Sequence, residues 1–305
     1  QEGFGPMPMT VAQGRRSSAS RSYLRPVKDR RNLQVLTRAQ VQRIEIRGNQ
    51  AVCVEVMLKG QIERLTAAKE ILLCAGAINS PQLLMLSGIG PGDQLQSMGL
   101  ETLVDSPQVG QNLMDHLEVY VQQACTKSVS LHKHLGLIGR AKIGVQWVAT
   151  HKGLGATNHF EVGGFVRSDP SQAQPDIQFH FLPTAMSYDG SAKAKGHGFQ
   201  VHVGPMLPKS RGAITLRSKR ASDAPKIVFN YMSHEDDWSV FRAAIRKARD
   251  IFAQPALTEL RGQELNPGEQ CQSDAQLDAF VAAQAESAYH PCGTCRMGSD
   301  AQAVV

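Results

Sequence analysis

The sequence predicts a mixed α/β fold that carries an antiparallel sheet, and three observations predict it. An apolar run, Ile71-Leu72-Leu73-Cys74-Ala75-Gly76, leads directly into residues at helical spacing. Residues 177–181 and 199–203 alternate apolar and polar side chains with no helix between them. Residues 238–252 repeat apolar side chains at a helical period. A strand feeding a helix is the α/β unit, whereas successive alternating strands build an antiparallel sheet with one face open to a ligand.

Each element follows from its own residues. Leu33, Val35 and Leu36, then Val41, Ile44 and Ile46, then Val52, Val54 and Val56 place strands within 32–74, with Gly48-Asn49 as a turn. The run 71–76 reads as a strand buried on both faces. The helix after it takes Asn79 or Ser80 as its cap and Pro81 in its first turn, and its stripe of Leu83, Leu84 and Leu86 ends at Gly88. Leu135 to Thr150 reads as another helix. Ile177, Phe179 and Phe181 then share one face of a strand, with Gln178 and His180 on the other. Phe199, Val201 and Val203 repeat that scheme against Gln200 and His202, and the turn Ser210-Arg211-Gly212 precedes a strand at 213–216. Ser233 is placed to cap the next helix, Asp236 and Asp237 suit its positive end, and Trp238, Phe241, Ile245, Ala248 and Phe252 form its buried stripe. A last helix spans Asp274 to Ala285.

The chain of 305 residues is 42% hydrophobic and 20% charged, enough for one large or two ordinary domains. That balance excludes a disordered chain, and no apolar run approaches the roughly 18 residues of a membrane-spanning helix. The net charge of +6 is uneven: residues 1–50 alone carry +7. A basic segment of this kind suits a solvated surface or a polyanion, although only Phe4 and Tyr23 are available there to stack bases. Six cysteines are too sparse for a disulfide scaffold, so a reducing, intracellular setting is expected, cytoplasmic or peripheral to a membrane. The chain opens on Gln1 and closes on Val305 without a turn or cap, and is expected to be part of a longer protein.

Four motifs could carry chemistry. Gly88-Ile89-Gly90-Pro91-Gly92 follows a helix rather than a strand, and Pro91 lacks an amide for a phosphate, so it is not a dinucleotide fingerprint. Cys292-Gly293-Thr294-Cys295 has redox or zinc spacing, but it lies after helices at the far end of the chain with only His290 near; no metal site is expected. His290 stands before Pro291, which forces extended geometry, and histidine titrates near neutrality; this suits a general base or a structural hydrogen bond. Gly110-Gln111-Asn112-Leu113-Met114-Asp115-His116 could approach a polar ligand or form a capped turn.

Taken together, these segments resemble the glucose-methanol-choline (GMC) flavin oxidoreductases. Gly76-Ala77-Ile78-Asn79-Ser80-Pro81-Gln82-Leu83-Leu84-Met85-Leu86-Ser87-Gly88-Ile89-Gly90 is similar to the family's second signature. Val109 to His116 resembles its G-x-N-L-x-D-H element, and Tyr289 to Gly298 its H-P-x-G-T-x-R-M-G element. Residues 158–165, 197–204 and 230–235 resemble the substrate-domain segments of its choline-oxidising branch, with medium-chain alcohol dehydrogenases as the less specific likeness.

The resemblance implies FAD as cofactor and oxidation of choline to betaine aldehyde, and onward to glycine betaine. Hydride would pass to flavin N5, His290 would act as the base, and a quinone or respiratory-chain component would accept electrons. Tyr289, His180 and Glu161 fall at substrate-binding positions; an aromatic face such as that of Tyr289 can hold a quaternary ammonium. Val41, Ala75, Gly76, Asn112, Asp115 and His116 fall at or near cofactor contacts. Residues 1–116 would be part of the FAD-binding domain without its first nucleotide-binding unit, 117–285 the substrate domain, and 286–305 a truncated return to the FAD-binding domain. Two alternatives stand beside this: a dehydrogenase of another primary or aliphatic alcohol, and a non-catalytic protein binding polyanions through residues 1–50. Nucleic acid is not the expected partner.

Overall fold

A computed structural model describes residues 2–186 and 196–305. In chain order the first strands are β1 (Gly3–Pro6), β2 (Val11–Ala12), β3 (Arg15–Arg16), β4 (Gln40–Arg47), β5 (Gln50–Leu58), β6 (Gln61–Thr66), β7 (Ile89–Gly90) and β8 (Val104–Asp105). Then follow β9 (Leu117–Cys125), β10 (Val162–Val166), β11 (Ile177–Leu182), β12 (Gly198–Pro205), β13 (Ala213–Thr215), β14 (Lys226–Val228), β15 (Arg261–Asn266) and β16 (Glu286–Ser287). The helices are α1 (Gly76–Leu86), α2 (Gly92–Ser97), α3 (Leu137–Thr150), α4 (Glu235–Phe252) and α5 (Asp274–Gln284).

These elements form two compact units. The first comprises Gln1–Leu33, His116–Leu207 and Glu235–Ala288. Its seven-stranded antiparallel sheet runs β1-β10-β11-β12-β9-β15, with β16 paired to β9. The alternation read in the sequence sets its two faces: Ile177, Phe179, Val201 and Val203 are buried on one, and Gln200 and His202 are buried on the other. Helix α4 closes the apolar face with Phe241, Ala244, Ile245, Ala248 and Phe252, and Phe252 meets Phe181 and Phe199 edge-on. Ser273 caps α5 through a capping box with Gln276.

The second unit comprises Gln34–Asp115, Pro208–His234 and Tyr289–Val305. The meander β4-β5-β6 turns at Gly48, whose φ is +59°. Its core gathers Met85, Leu86, Leu95, Val109, Leu113, Ile214 and Leu216. This division cuts the chain differently from the boundaries at 116 and 285. Residues 3–6 pair as β1 with β10, so the start of the chain joins the large sheet. Ile214 and Leu216 pack with Met85 and Leu113, so the 208–234 stretch joins the other unit.

Three local expectations are corrected. Residues 33–36 and 71–76 form no strand, because no strand of the described residues pairs with either; Leu72 is 76% exposed. An apolar run becomes a buried strand only where neighbouring strands take up its N–H and C=O groups. Helix α1 starts at Gly76, ahead of Asn79 and Ser80, so Pro81 lies inside it. Proline there leaves the carbonyl four residues earlier without its helical donor, and the buried Thr294 hydroxyl donates to that Ala77 carbonyl at 2.6 Å. Helix α4 begins at Glu235, two residues past Ser233, whose hydroxyl accepts from the Asn230 amide at 3.2 Å.

Candidate active site

In the second unit the 109–115 element and the 290–294 element are zipped together. Met114 and Cys292 exchange both backbone hydrogen bonds, at 2.9 and 2.8 Å, and the Gly110 N–H donates to the Thr294 carbonyl at 2.9 Å. Gly293 has φ +95°, and a Cβ there would fall 2.3 Å from the Asn112 carbonyl oxygen, so the approach requires glycine. Asn112 is itself left-handed, which its short amide tolerates. Its Nδ2 donates to the Gly293 carbonyl at 3.2 Å, and its Oδ1 accepts from Arg211 Nε at 3.0 Å.

Asp115 completes the arrangement. Its buried carboxylate accepts from the His290 backbone N–H at 2.9 Å and from the Tyr231 hydroxyl at 2.6 Å. Pro291 keeps His290 out of the helical region, and Tyr289 before it is held at φ +61°, an uncommon conformation for a bulky residue. Such strain persists only where the surroundings over-determine it, and here the Asp115 bond does so. The result is a fixed backbone presenting His290 and Tyr289, both exposed. Asp115 and Asn112, expected at the cofactor, are thus bound to the histidine segment, and the hydroxyl of Tyr231 was missed by sequence reasoning.

Val41 and Ala75 line one cavity of about 470 Å³, with Leu72, Leu73 and Asn79 among its other walls. Gly76 follows Ala75 as the first residue of α1, at φ +77°, with open space where a Cβ would stand. The small side chain of Ala75 leaves room for a planar group to reach the backbone in this cavity.

The first unit carries His180 on the polar face of its sheet. Gly163, His180, His202 and Tyr120 form one row across β10, β11, β12 and β9. The Tyr120 and His202 rings lie 4.1 Å apart, and Phe160 meets His202 edge-on at 5.1 Å and His180 at 6.0 Å. His202 Nδ1 lies 2.8 Å from the Glu118 carboxylate, with both side chains buried. The Gln200 Oε1 accepts from Gln122 Nε2 at 2.7 Å and from the Met186 N–H at 2.8 Å. Its Nε2 is therefore the donor towards His202 Nε2, 2.7 Å away, which leaves the ring proton on Nδ1 facing Glu118. The Gln122 Oε1 is buried without a hydrogen-bond partner among the described residues. Tyr120 donates its hydroxyl to Glu286 at 2.8 Å. Sequence reasoning missed Glu118, Tyr120 and Gln122, although their spacing by two along one strand was the available signal.

Glu161 is exposed and accepts from the Thr157 hydroxyl at 3.2 Å. It lines an apolar cavity of about 330 Å³ together with His159, whose pKa is lowered by burial against the opposing pull of Glu161. His116 donates Nε2–H to the Met206 carbonyl at 2.8 Å. Burial raises the thiol pKa values of Cys292 and Cys295, which disfavours the thiolate that redox or metal chemistry needs. Among the described residues no group of three or more His, Cys, Asp or Glu side chains is placed to hold a metal ion.

Two family models match the chain, both described as GMC oxidoreductase, one over residues 1–118 and one over 208–305. The chain belongs to the GMC oxidoreductases. Over its whole length it is 51% identical to the oxygen-dependent choline dehydrogenases of Brucella anthropi and Ectopseudomonas mendocina. It covers 56% and 54% of those proteins, so it spans little more than half the length of the curated relatives it matches. Among solved GMC-like structures, pyridoxine 4-oxidase from Mesorbium loti superposes with a TM-score of 0.84 at 32% identity, covering 100% of this chain and 56% of that one. A formate oxidase from Aspergillus oryzae superposes at 0.87 with 25% identity, covering 97% and 56%. No helix among the described residues is long and apolar enough to cross a membrane.

Proposed function

We propose that the protein containing this chain is an FAD-dependent alcohol dehydrogenase that oxidises choline to betaine aldehyde. The observation that carries the reading is His290: an exposed imidazole on a backbone pinned by Asp115, beside an exposed aromatic ring. The choice of alcohol rests on the whole-chain likeness to proteins named choline dehydrogenases.

FAD, when bound, supplies the acceptor for the hydride that leaves the carbinol carbon. The adenine portion would be held by Val41 and Ala75 in the cavity they line, with Gly76 next to Ala75 in the chain. His290 takes the hydroxyl proton on a ring nitrogen, and the Asp115 bond to its N–H keeps the ring from drifting as the alcohol closes in. Tyr289 offers its face to the trimethylammonium group. Oxidation onward to glycine betaine would use the hydrated aldehyde as a second alcohol. The names of the relatives favour dioxygen as electron acceptor over a quinone or respiratory-chain component.

Anaerobic mixing of the intact protein with choline, and separately with butanol, tests the reading by flavin bleaching. Choline is expected to reduce the flavin and butanol to do so far more slowly. The reverse order would assign the enzyme to aliphatic alcohols.

A further inference from the structure

A cavity of the first unit is lined by none of the residues named above for catalysis. It encloses about 660 Å³ between the β2–β3 hairpin, α3 and residues 155–158. The hairpin turns at Gln13 and Gly14, both at positive φ, and docks closely: a Cβ on Gly14 would fall 1.7 Å from the His151 carbonyl oxygen. Trp147 holds the tip by donating Nε1–H to the Gly14 carbonyl at 2.7 Å. The docked hairpin sets Arg15 and Arg16 into the cavity wall, beside the hydroxyls of Ser17 and Ser18.

Arg15 is the informative group. His151 Nδ1 lies 2.8 Å from the Trp147 carbonyl, which can only accept, so Nδ1 carries the ring proton. Nε2 then presents a lone pair, and Arg15 donates Nε–H to it at 3.1 Å, with its Nη2 also in contact. The guanidinium also lies 5.9 Å from the centre of the Trp147 ring. Those contacts orient the guanidinium and leave its charge without a carboxylate: no lining residue is acidic. Glu161 accepts from the Thr157 hydroxyl, but is not itself part of the lining. The sequence supports the same picture, because no Asp or Glu occurs between Glu2 and Asp29 or between Glu118 and Glu161, the two stretches that build the cavity. A half-buried cation locked in orientation, a second arginine and adjacent hydroxyls together form an anion receptor.

We propose that this cavity binds a small oxyanion, the phosphate or carboxylate group of a soluble metabolite, through residues other than those proposed for the alcohol. The receptor is Arg15, oriented by His151 and Trp147, with Arg16, Ser17 and Ser18 completing the cradle.

The test uses the intact protein with Trp238→Phe, which leaves Trp147 as the only tryptophan of this chain. Inorganic phosphate and acetate are titrated separately at constant ionic strength set with chloride, following tryptophan emission and melting temperature. A saturable response to phosphate or to acetate, absent with chloride, is expected, and the stronger of the two identifies the anion class. Arg15→Gln is expected to weaken it about tenfold or more. Arg16→Gln, which leaves the Arg15–His151 contact intact, is expected to weaken it by a smaller factor and covers the case in which Arg15→Gln fails to fold. No saturable response to either anion would overturn the proposal, as would a response unchanged in both arginine variants.

Discussion

The polar face of the β9–β12 sheet and the stretch from β6 to α1 contrast sharply. In the sheet every strand has neighbours, so a period of two in the sequence becomes two defined faces, one packed under α4 and one holding Glu118, His202, Gln200 and Gln122. Before α1 the sequence is more apolar, yet residues 71–75 stay irregular and Leu72 is exposed. Apolar character alone does not make a strand; paired backbone does.

The contrast can be broken first at its packed end. Phe241→Ala removes a fully buried ring between α4 and the sheet and is expected to cost about 3–5 kcal/mol in urea unfolding of the chain. Gln200→Ala removes the acceptor of the Met186 N–H, one of the two acceptors of the Gln122 amide and the donor to His202 Nε2, and a loss of about 1–3 kcal/mol is expected. Thr294→Val leaves the Ala77 carbonyl inside α1 without its donor, for a loss of about 1 kcal/mol. Leu72→Ser, at the unpaired end, is expected to change stability by no more than about 0.5 kcal/mol. A loss of several kcal/mol at Leu72 would show that the run is packed after all and would erase the contrast.

How much was legible in the sequence divides along the same line. Strands β11 and β12 and helices α4 and α5 were readable because their periodicity is local and their partners lie in the chain. The run 71–76 was misread, since pairing is a property of neighbours and not of the segment. At the candidate site His290 and Asp115 were each singled out by motif, but not their bond, which joins positions 175 apart. The Glu118–His202 pair escaped because no motif carries it; it follows from cross-strand register, which becomes visible only once the strands are aligned.

The clamped His290 is proposed to take the alcohol proton. It is tested most directly by anaerobic stopped-flow reduction of the intact protein by choline, comparing wild type with His290→Ala at matched flavin content. Flavin reduction is expected to slow by roughly 10²–10⁴-fold with FAD still bound. An unchanged reduction rate in His290→Ala would rule out His290 as the base.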